Sequence, residues 1–170
     1  MHAIGKQNGV HGGLCCCFCG HHGDPTKPCS CTPEKLQRYQ QRVSGPLLDR
    51  IDLHVTVPKL AEADKPALLQ RCNDESGSSD KLRELVVACR ARQQARSNKL
   101  NAHLHQHEIG EHCALSRQDV RLLNDATTRL QLSTRAFFRI LKIARTIADL
   151  AEAPRIATPH LLEAINYRRN

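Results

Sequence analysis

The stretch that decides the fold is LSTRAFFRILKIARTIADL, residues 132–150. Ser133 can accept a hydrogen bond at a helix N-terminus, and apolar side chains then recur every three or four positions. This stripe consists of Phe137, Ile140, Leu141, Ala144 and Ala148. The spacing predicts one amphipathic helix that runs to about Ala151 and is the longest helix of the chain.

Three further helices are predicted around this one, over a bundle that spans residues 80–170. Ser79 can cap a helix from about 80 to 96, Ser116 can cap a second, and Thr158 with Pro159 marks the start of the last. The residues expected to face the core are, in chain order, Leu82, Leu85, Val86, Cys89, Val120, Leu123, Ala126 or Thr127, Leu130, Leu161, Leu162 and Ile165.

The first half of the chain shows a different pattern, with few helix signals. Residues 1–14 hold four glycines and few apolar side chains, which predicts a flexible lead-in without a stable strand. Thr32 and Pro33 predict a helix to about Arg42, and the alternating residues 53–57 predict a strand. The polar stretch 59–79 predicts a linker, so that 15–58 and 80–170 form separate regions.

Composition limits the class of protein. The chain has 170 residues with no Trp, three Phe and two Tyr, so its core must be aliphatic and modest. It contains neither an apolar run of about 18 residues nor a secretory signal, so we expect a cytoplasmic protein without membrane contact. Five of its eight net positive charges lie in residues 129–170, which favours a polyphosphate or nucleic-acid partner or, equally, a solubilising surface.

Six of the nine cysteines fall between residues 15 and 31, and without a secretory signal this clustering points to metal and not to disulfides. The tightest set, C-x-C-x9-C-x-C, consists of Cys17, Cys19, Cys29 and Cys31. Four thiolates on two short turns can surround one Zn²⁺ ion. The alternatives are a cysteine-rich loop without metal, or a ligand set that draws on Cys15, Cys16, His21 or His22.

A second group of candidate ligands alternates at His103, His105 and His107, and we interpret it as a solvated loop with adventitious affinity for metal. The remaining cysteines, Cys72, Cys89 and Cys113, are interpreted as small buried hydrophobes. The chain carries no phosphate-binding P-loop, no strand ending in paired acids and no hydrolase or kinase signature. We therefore expect no catalytic activity from the chain alone.

Two segments together resemble a known family. CFCGHHGDP (residues 17–25) and RVSGPLLDRIDLHV (residues 42–55) are similar to the second half of the AAA+ module in magnesium-chelatase-like ATPases, the ComM/YifB group. The stretch 132–150 resembles the C-terminal helical lid of the same family. The resemblance implies a mainly α fold, in which a helical-bundle AAA+ lid follows a small α/β remnant of the AAA+ core with a cysteine-rich loop.

The resemblance also implies roles for two arginines. Arg50 would be the arginine finger that reaches the nucleotide site of a neighbouring subunit, and Arg135 would be the sensor-2 arginine of the lid. Both would act on ATP with Mg²⁺ in a hexameric ring whose P-loop lies in another AAA+ portion, and the ring would act on DNA. Cys15 stands where the family has its sensor-1 asparagine.

Three other interpretations remain, and one of them is a non-functional remnant whose lid still folds because its core is local. Arg50 could pair with Asp49 or Asp52 in a purely structural role. The whole chain could also be a stand-alone, zinc-stabilised, basic helical module that binds nucleic acid, in which case its affinity would fall steeply with salt.

Overall fold

The computed structural model describes residues 5–7, 9–11, 17–22, 27–42, 50–55 and 79–168. The chain is mainly α-helical, as predicted, and it divides into two compact units, residues 1–51 and 52–170. The helices are α1 (Pro33–Gln40), α2 (Ser79–Ser97), a 3₁₀ helix (Asn101–His103), α3 (Gln106–His112), α4 (Arg117–Arg129), α5 (Thr134–Leu150) and α6 (Thr158–Asn166). Of the predicted linker at 59–79, only Ser79 lies within the described residues.

The prediction of a strandless lead-in is wrong. Strands β1 (Gly5–Gln7) and β2 (Gly9–His11) form an antiparallel hairpin in which Lys6 lies opposite Val10. A hairpin of this length is joined by main-chain hydrogen bonds, which any sequence can supply, so side-chain periodicity gives no sign of it. The low apolar content of residues 1–14 therefore did not exclude it.

Helix α1 begins where its cap and proline predict. The Thr32 hydroxyl accepts a hydrogen bond from the Lys35 backbone N–H at 3.4 Å, and Pro33 occupies the first helical position. The helix ends at Gln40, two residues before the predicted end. It belongs to the first unit together with Cys17, Cys19, Cys29 and Cys31.

The core of the second unit lies around α5, which packs against α2, the 3₁₀ helix, α3 and α6. Its cap is the predicted one, because the Ser133 hydroxyl accepts from the Ala136 backbone N–H at 3.1 Å. The stripe is buried at Ile140, Leu141, Ala144 and Ala148 and half-buried at Phe137. Burial of a side chain such as that of Ile140 stabilises the fold by about 1.5–3 kcal/mol. At 17 residues, α5 is shorter than the 19-residue α2, so the predicted order of length is wrong.

Several residues predicted to face the core are exposed instead. On α2, only Cys89 of the predicted stripe is buried; Leu82, Leu85 and Val86 are exposed. Val120 on α4 and Leu162 on α6 are also exposed, whereas Leu123, Leu161 and Ile165 are buried as predicted. The buried state of Cys89 and Cys113 is likewise confirmed; Cys72 lies outside the described residues.

The start of α6 differs from the prediction for a chemical reason. Ala157 is the N-cap residue and Thr158 is the first helical residue. The Thr158 hydroxyl donates a hydrogen bond to Asp119 Oδ1 at 2.7 Å, and this carboxylate also accepts from the Ser116 hydroxyl at 2.7 Å. Thr158 therefore joins α6 to the capped start of α4 and does not cap its own helix.

The histidine segment is helical, so its interpretation as a loop is wrong. His103 ends the 3₁₀ helix, His105 precedes α3 and His107 lies within α3. The His105 backbone N–H donates to Glu108 Oε2 at 2.6 Å, which is one half of a capping box, and Lys99 Nζ donates to Glu108 Oε1 at 2.5 Å. This short helix adds a fifth to the four predicted in the bundle, among the residues described from 79 to 168.

The predicted strand at 53–57 is absent from its described part. Leu53, His54 and Val55 have no regular structure, and 56–57 lie outside the described residues. The His54 backbone N–H donates to the Tyr167 carbonyl at 2.8 Å, so this main chain bonds to the end of the bundle and not to a neighbouring strand. Nearby, Asp52 forms an ion pair with Arg139 of α5.

A buried polar cluster attaches α2 to α5. The Asp149 carboxylate accepts hydrogen bonds from Arg96, Asn101 and Arg145, and the Asn101 backbone N–H donates to Gln93 Oε1 at 3.0 Å. All of these residues except Arg96 are buried. Apart from Cys89 and Gln93, α2 buries no residue, so this cluster and not an apolar seam holds the helix in place. Within the ranges described, no helix combines the length and the apolar character that crossing a bilayer requires.

Candidate functional site

The four predicted thiols lie together in the first unit. The Sγ atoms of Cys17, Cys19, Cys29 and Cys31 all fall within 4.8 Å of one another. Cys17 Sγ lies 3.3 Å from Cys19 Sγ and 3.7 Å from Cys29 Sγ. Four sulfurs at the corners of a tetrahedron, each at the usual Zn–S distance, are about 3.8 Å apart. The cluster therefore has the size that a zinc ion needs.

Local backbone geometry creates this cluster. The Gly20 N–H donates to the Cys17 carbonyl at 3.3 Å, and Gly20 has a φ of 79°, a conformation that a glycine adopts without strain. The resulting turn brings the first two thiols to one side. The His22 backbone N–H donates to Cys17 Sγ at 3.3 Å. Among the described residues, the metal-binding group contains thiols only, so neither His21 nor His22 supplies its imidazole.

The thiols differ in acidity. Hydrogen bonds with the backbone of His21 and with the Cys17 thiol lower the pKa of Cys19 to about 5. A hydrogen bond with the Cys31 backbone lowers the pKa of Cys29, but burial and bonds with the Cys19 and Cys17 thiols outweigh it and raise that pKa to about 12. Cys19 therefore loses its proton more readily than Cys29, and a bound divalent cation would favour release of the thiol protons.

Arg135 lies in the first turn of α5, two residues after the Ser133 cap, and its side chain is exposed. It lines a groove of about 410 Å³ together with Arg139 and Lys142, which follow at intervals of four and three residues on the same helix face. Arg139 is paired with Asp52, and Lys142 Nζ donates to the Ala102 carbonyl at 3.1 Å. Of these three cations, Arg135 lies closest to the positive end of the helix dipole.

Arg145 and Arg50 have different surroundings from Arg135. Arg145 is buried and donates to Asp149 from Nε at 3.1 Å and to the Ala153 carbonyl from Nη2 at 2.6 Å, so it is a structural residue. Arg50 is exposed and belongs to the first unit. Asp49, one of its two predicted structural partners, lies outside the described residues.

A further groove, of about 340 Å³, was not anticipated. It lies between the first cysteine turn and one face of α1, and it is lined by Phe18, Lys35, Arg38, Tyr39 and Arg42. The sequence carried a signal for it, since the last four of these residues follow one another at helical spacing. It gave no sign that Phe18 would be placed beside that face.

Two family models match the chain. Residues 76–168 match the model described as "Magnesium chelatase, subunit ChlI C-terminal", and residues 11–65 match "Magnesium chelatase, subunit ChlI". The first match covers more than half of the chain and includes every helix from α2 to α6. The chain belongs to the magnesium chelatase family. The resemblance read from the sequence is thereby confirmed.

Members of this family with high similarity come from several bacteria. YifB of Salmonella typhimurium, an uncharacterized protein, is 44% identical over 138 residues, which is 81% of this chain and 26% of the relative. Competence protein ComM of Haemophilus influenzae is 43% identical over 137 residues, with the same coverage. Escherichia coli YifB is 43% identical over 138 residues. The chain thus spans about a quarter of the length of the relatives it matches. Arg135 lies in the C-terminal match, whereas Arg50 and the four clustered cysteines lie in the other.

Proposed function

We propose that this chain is the C-terminal part of a magnesium chelatase-like AAA+ ATPase of the ComM type. In this role it supplies an arginine finger, Arg50, and a sensor-2 arginine, Arg135, to ATP hydrolysis in a hexameric ring. The observation that carries the proposal is the exposed Arg135 guanidinium at the capped N-terminus of α5, inside the segment that matches the family's C-terminal domain.

The chemistry of this position suits a phosphate. The first backbone N–H groups of a helix and its dipole attract anions, and a guanidinium at the same end adds a permanent charge with two parallel donors. Lys142 raises the local positive potential along the same face, whereas the charge of Arg139 is balanced by Asp52. Because Arg135 is fixed to α5, contact with the γ-phosphate would link the position of the bundle to the state of the nucleotide.

Arg50 has the chemistry of a finger. The transition state of phosphoryl transfer spreads charge over the phosphoryl oxygens, and a planar, always protonated guanidinium neutralises it in a bidentate manner. Arg50 is exposed, as a residue that contacts another subunit must be in the separate chain. The nucleotide, with its Mg²⁺, would be held by a P-loop-bearing AAA+ portion, so the isolated chain should hydrolyse no ATP.

The cysteine cluster would bind one structural Zn²⁺ through Cys17, Cys19, Cys29 and Cys31. The distances between the sulfurs support this assignment, as does the lowered pKa of Cys19. The Haemophilus influenzae relative is a competence protein, and this similarity, together with the positive charge of residues 129–170, supports action on DNA.

A chimaera tests the two arginines. This chain replaces the matched quarter of Salmonella typhimurium YifB, and phosphate release and ring assembly are measured for the chimaera and its variants. Arg50→Ala should reduce turnover at least about a hundredfold while assembly persists, and Arg50→Lys should not restore it, because an ammonium lacks the fork geometry. Arg135→Ala should reduce turnover as well.

Arg155→Ala is the matched control, since Arg155 is an exposed arginine outside the Arg135 groove. It should leave turnover unchanged. Full turnover by an assembled Arg50→Ala chimaera would refute the finger assignment, and ATP hydrolysis by the isolated chain would refute the proposal as a whole. The stand-alone nucleic-acid-binding alternative predicts the same zinc content but no effect of Arg50 on any turnover.

A further inference from the structure

We propose that the groove between Phe18 and α1 binds single-stranded nucleic acid, with an unpaired base stacked on Phe18 and the phosphates held by Lys35, Arg38 and Arg42. The proposal deepens the suggested action on DNA by assigning it a site. It involves neither Arg50 nor Arg135, so it can hold or fail independently of the ATPase assignment.

Phe18 is the most exposed large apolar side chain among the described residues, at 74%. Its position is fixed by its neighbours, because Cys17 is 1% exposed and the Gly20 N–H closes the turn onto the Cys17 carbonyl. A single exposed apolar residue needs no explanation by itself. An aromatic ring held outward by a tight turn, next to a row of cations, is the arrangement that stacks bases.

Tyr39 orders the groove from the helix side. Its ring meets that of Phe18 edge to face, with centroids 6.4 Å apart and an interplanar angle of 89°. The Arg42 guanidinium carbon lies 5.9 Å from the Tyr39 centroid, so Arg42 covers part of that ring. Such a T-shaped contact occupies at most one side of Phe18, and its high exposure leaves the other face open to a flat ligand.

The three cations of the groove form a row. Lys35, Arg38 and Arg42 are exposed; the first two lie on one face of α1, and Arg42 follows two residues after the last helical residue and lines the same groove. From Lys35 to Gln40 the helix rises about 7.5 Å, and Arg42 lies beyond its end, so the row is long enough to contact more than one phosphate of a strand. The groove lining contains three cations and no carboxylate among the described residues, so the net charge of this lining is positive.

These features favour a single strand over a duplex. A duplex offers phosphates but keeps its base faces stacked on one another. It would therefore contact the cations but make no stacking contact with Phe18. A single strand offers both phosphates and open base faces, and aromatic stacking tolerates any sequence.

The test measures binding of the full chain, purified without chelator, to three fluorescein-labelled probes by fluorescence anisotropy. The probes are a 12-nucleotide oligo(dT), an abasic strand of the same length and a 12-base-pair duplex. We expect oligo(dT) to bind most tightly. Phe18→Leu should weaken oligo(dT) binding about tenfold and leave the abasic strand unaffected. Arg38→Gln should weaken both single strands and reduce the salt slope by about 0.7.

Two further variants complete the test. Arg155→Gln removes one exposed charge from the other unit. It should reduce the affinity for either single strand by less than Arg38→Gln does. Phe18→Trp introduces the only tryptophan of the chain, and oligo(dT) should quench its fluorescence while the abasic strand does not. It also keeps the proposal testable if Phe18→Leu alters the cysteine turn.

Three results would overturn the proposal. One is tighter binding to the duplex than to oligo(dT). Another is tryptophan fluorescence of the Phe18→Trp variant that stays unquenched at saturating oligo(dT). The third is an equal loss of affinity for the single strands in Arg38→Gln and Arg155→Gln, which would indicate general charge attraction without a site.

Discussion

Arg96 binds both carboxylate oxygens of Asp149: its Nη1 lies 2.6 Å from Oδ1 and its Nη2 lies 2.8 Å from Oδ2. The carboxylate side chain is 2% exposed, and Arg145 and Asn101 donate to it as well. Two arginines therefore share one buried negative charge at the junction of α2 and α5. Burial alone would raise the pKa of Asp149, but the bonds from Arg96 and Asn101 and the charge of Arg145 lower it below its ordinary value.

Asp149→Asn should be strongly destabilising. It leaves the buried Arg145 and the half-buried Arg96 without their counter-charge, which costs about 3–5 kcal/mol of unfolding free energy. Urea denaturation of the full chain, followed by circular dichroism, measures the loss. Asp80→Asn is the matched control, because Asp80 forms an exposed pair with Arg83 and its loss should leave the midpoint unchanged. Equal effects of the two variants would contradict the prediction.

Leu161 and Leu162 allow a test of the core with identical chemistry. Leu161 is fully buried on α6, whereas its neighbour Leu162 is 46% exposed. Leu161→Ala should cost about 2–5 kcal/mol, since it removes buried methyl groups and leaves a cavity. Leu162→Ala should cost less than about 1 kcal/mol. Thermal and urea unfolding of the two variants decide the matter, and a reversal of this order would mean that α6 is rotated relative to the bundle.

Glu108 should titrate in strong acid. Its hydrogen bond with Lys99 and then that with the His105 backbone lower its pKa to about 2 from the ordinary 4.5. The sign follows from linkage: a lowered folded-state pKa stabilises the fold above about pH 4.5, and that contribution disappears as the pH falls towards 2. Carboxyl-carbon NMR measures the titration directly.

Lys99→Met should raise the pKa of Glu108 towards its ordinary value, whereas Lys81→Met on α2 should leave it near 2. The stability difference between the Lys99→Met variant and the unchanged chain should shrink as the pH falls from 4.5 to 2. An unshifted Glu108 titration in Lys99→Met would show that the backbone of His105 alone sets the value.

The thiol cluster should bind one zinc per chain when the protein is purified without chelator. Cys29→Ser should remove most of that metal, because a serine hydroxyl replaces one of four thiolate ligands. Zinc content by mass spectrometry and the sulfur-to-cobalt charge-transfer band of the cobalt form measure this. Cys89→Ala, which changes a buried thiol of the other unit, should keep both signals. A well-folded chain without metal would disprove the assignment.

Features that depend on a few neighbouring residues could be predicted from the sequence. The caps at Thr32, Ser116 and Ser133 each accept a hydrogen bond from a backbone N–H three residues ahead, as the local pattern indicates. The thiol cluster was predictable for the same reason, since two short turns confine its members.

Features that depend on distant partners could not be predicted. Helical spacing selects a face of α2 but cannot show that Leu82 and Leu85 on this face are exposed while Cys89 is buried. Thr158 has the pattern of a cap, yet its hydroxyl donates to Asp119 of another helix. The groove at Phe18 was missed for the same reason, because it forms only when the cysteine turn and α1 meet.

The polar attachment of α2 has a thermal consequence. The stabilisation that comes from burying apolar surface weakens on cooling, and the same burial gives unfolding its large heat-capacity change. Ion pairs and hydrogen bonds such as those of Asp149 add little or nothing to that heat-capacity change. Separation of α2 from the bundle should therefore occur with a small heat-capacity change, while the core around Ile140 and Leu161 melts with a large one. In the cold, α2 should hold to α5 while that core loses stability.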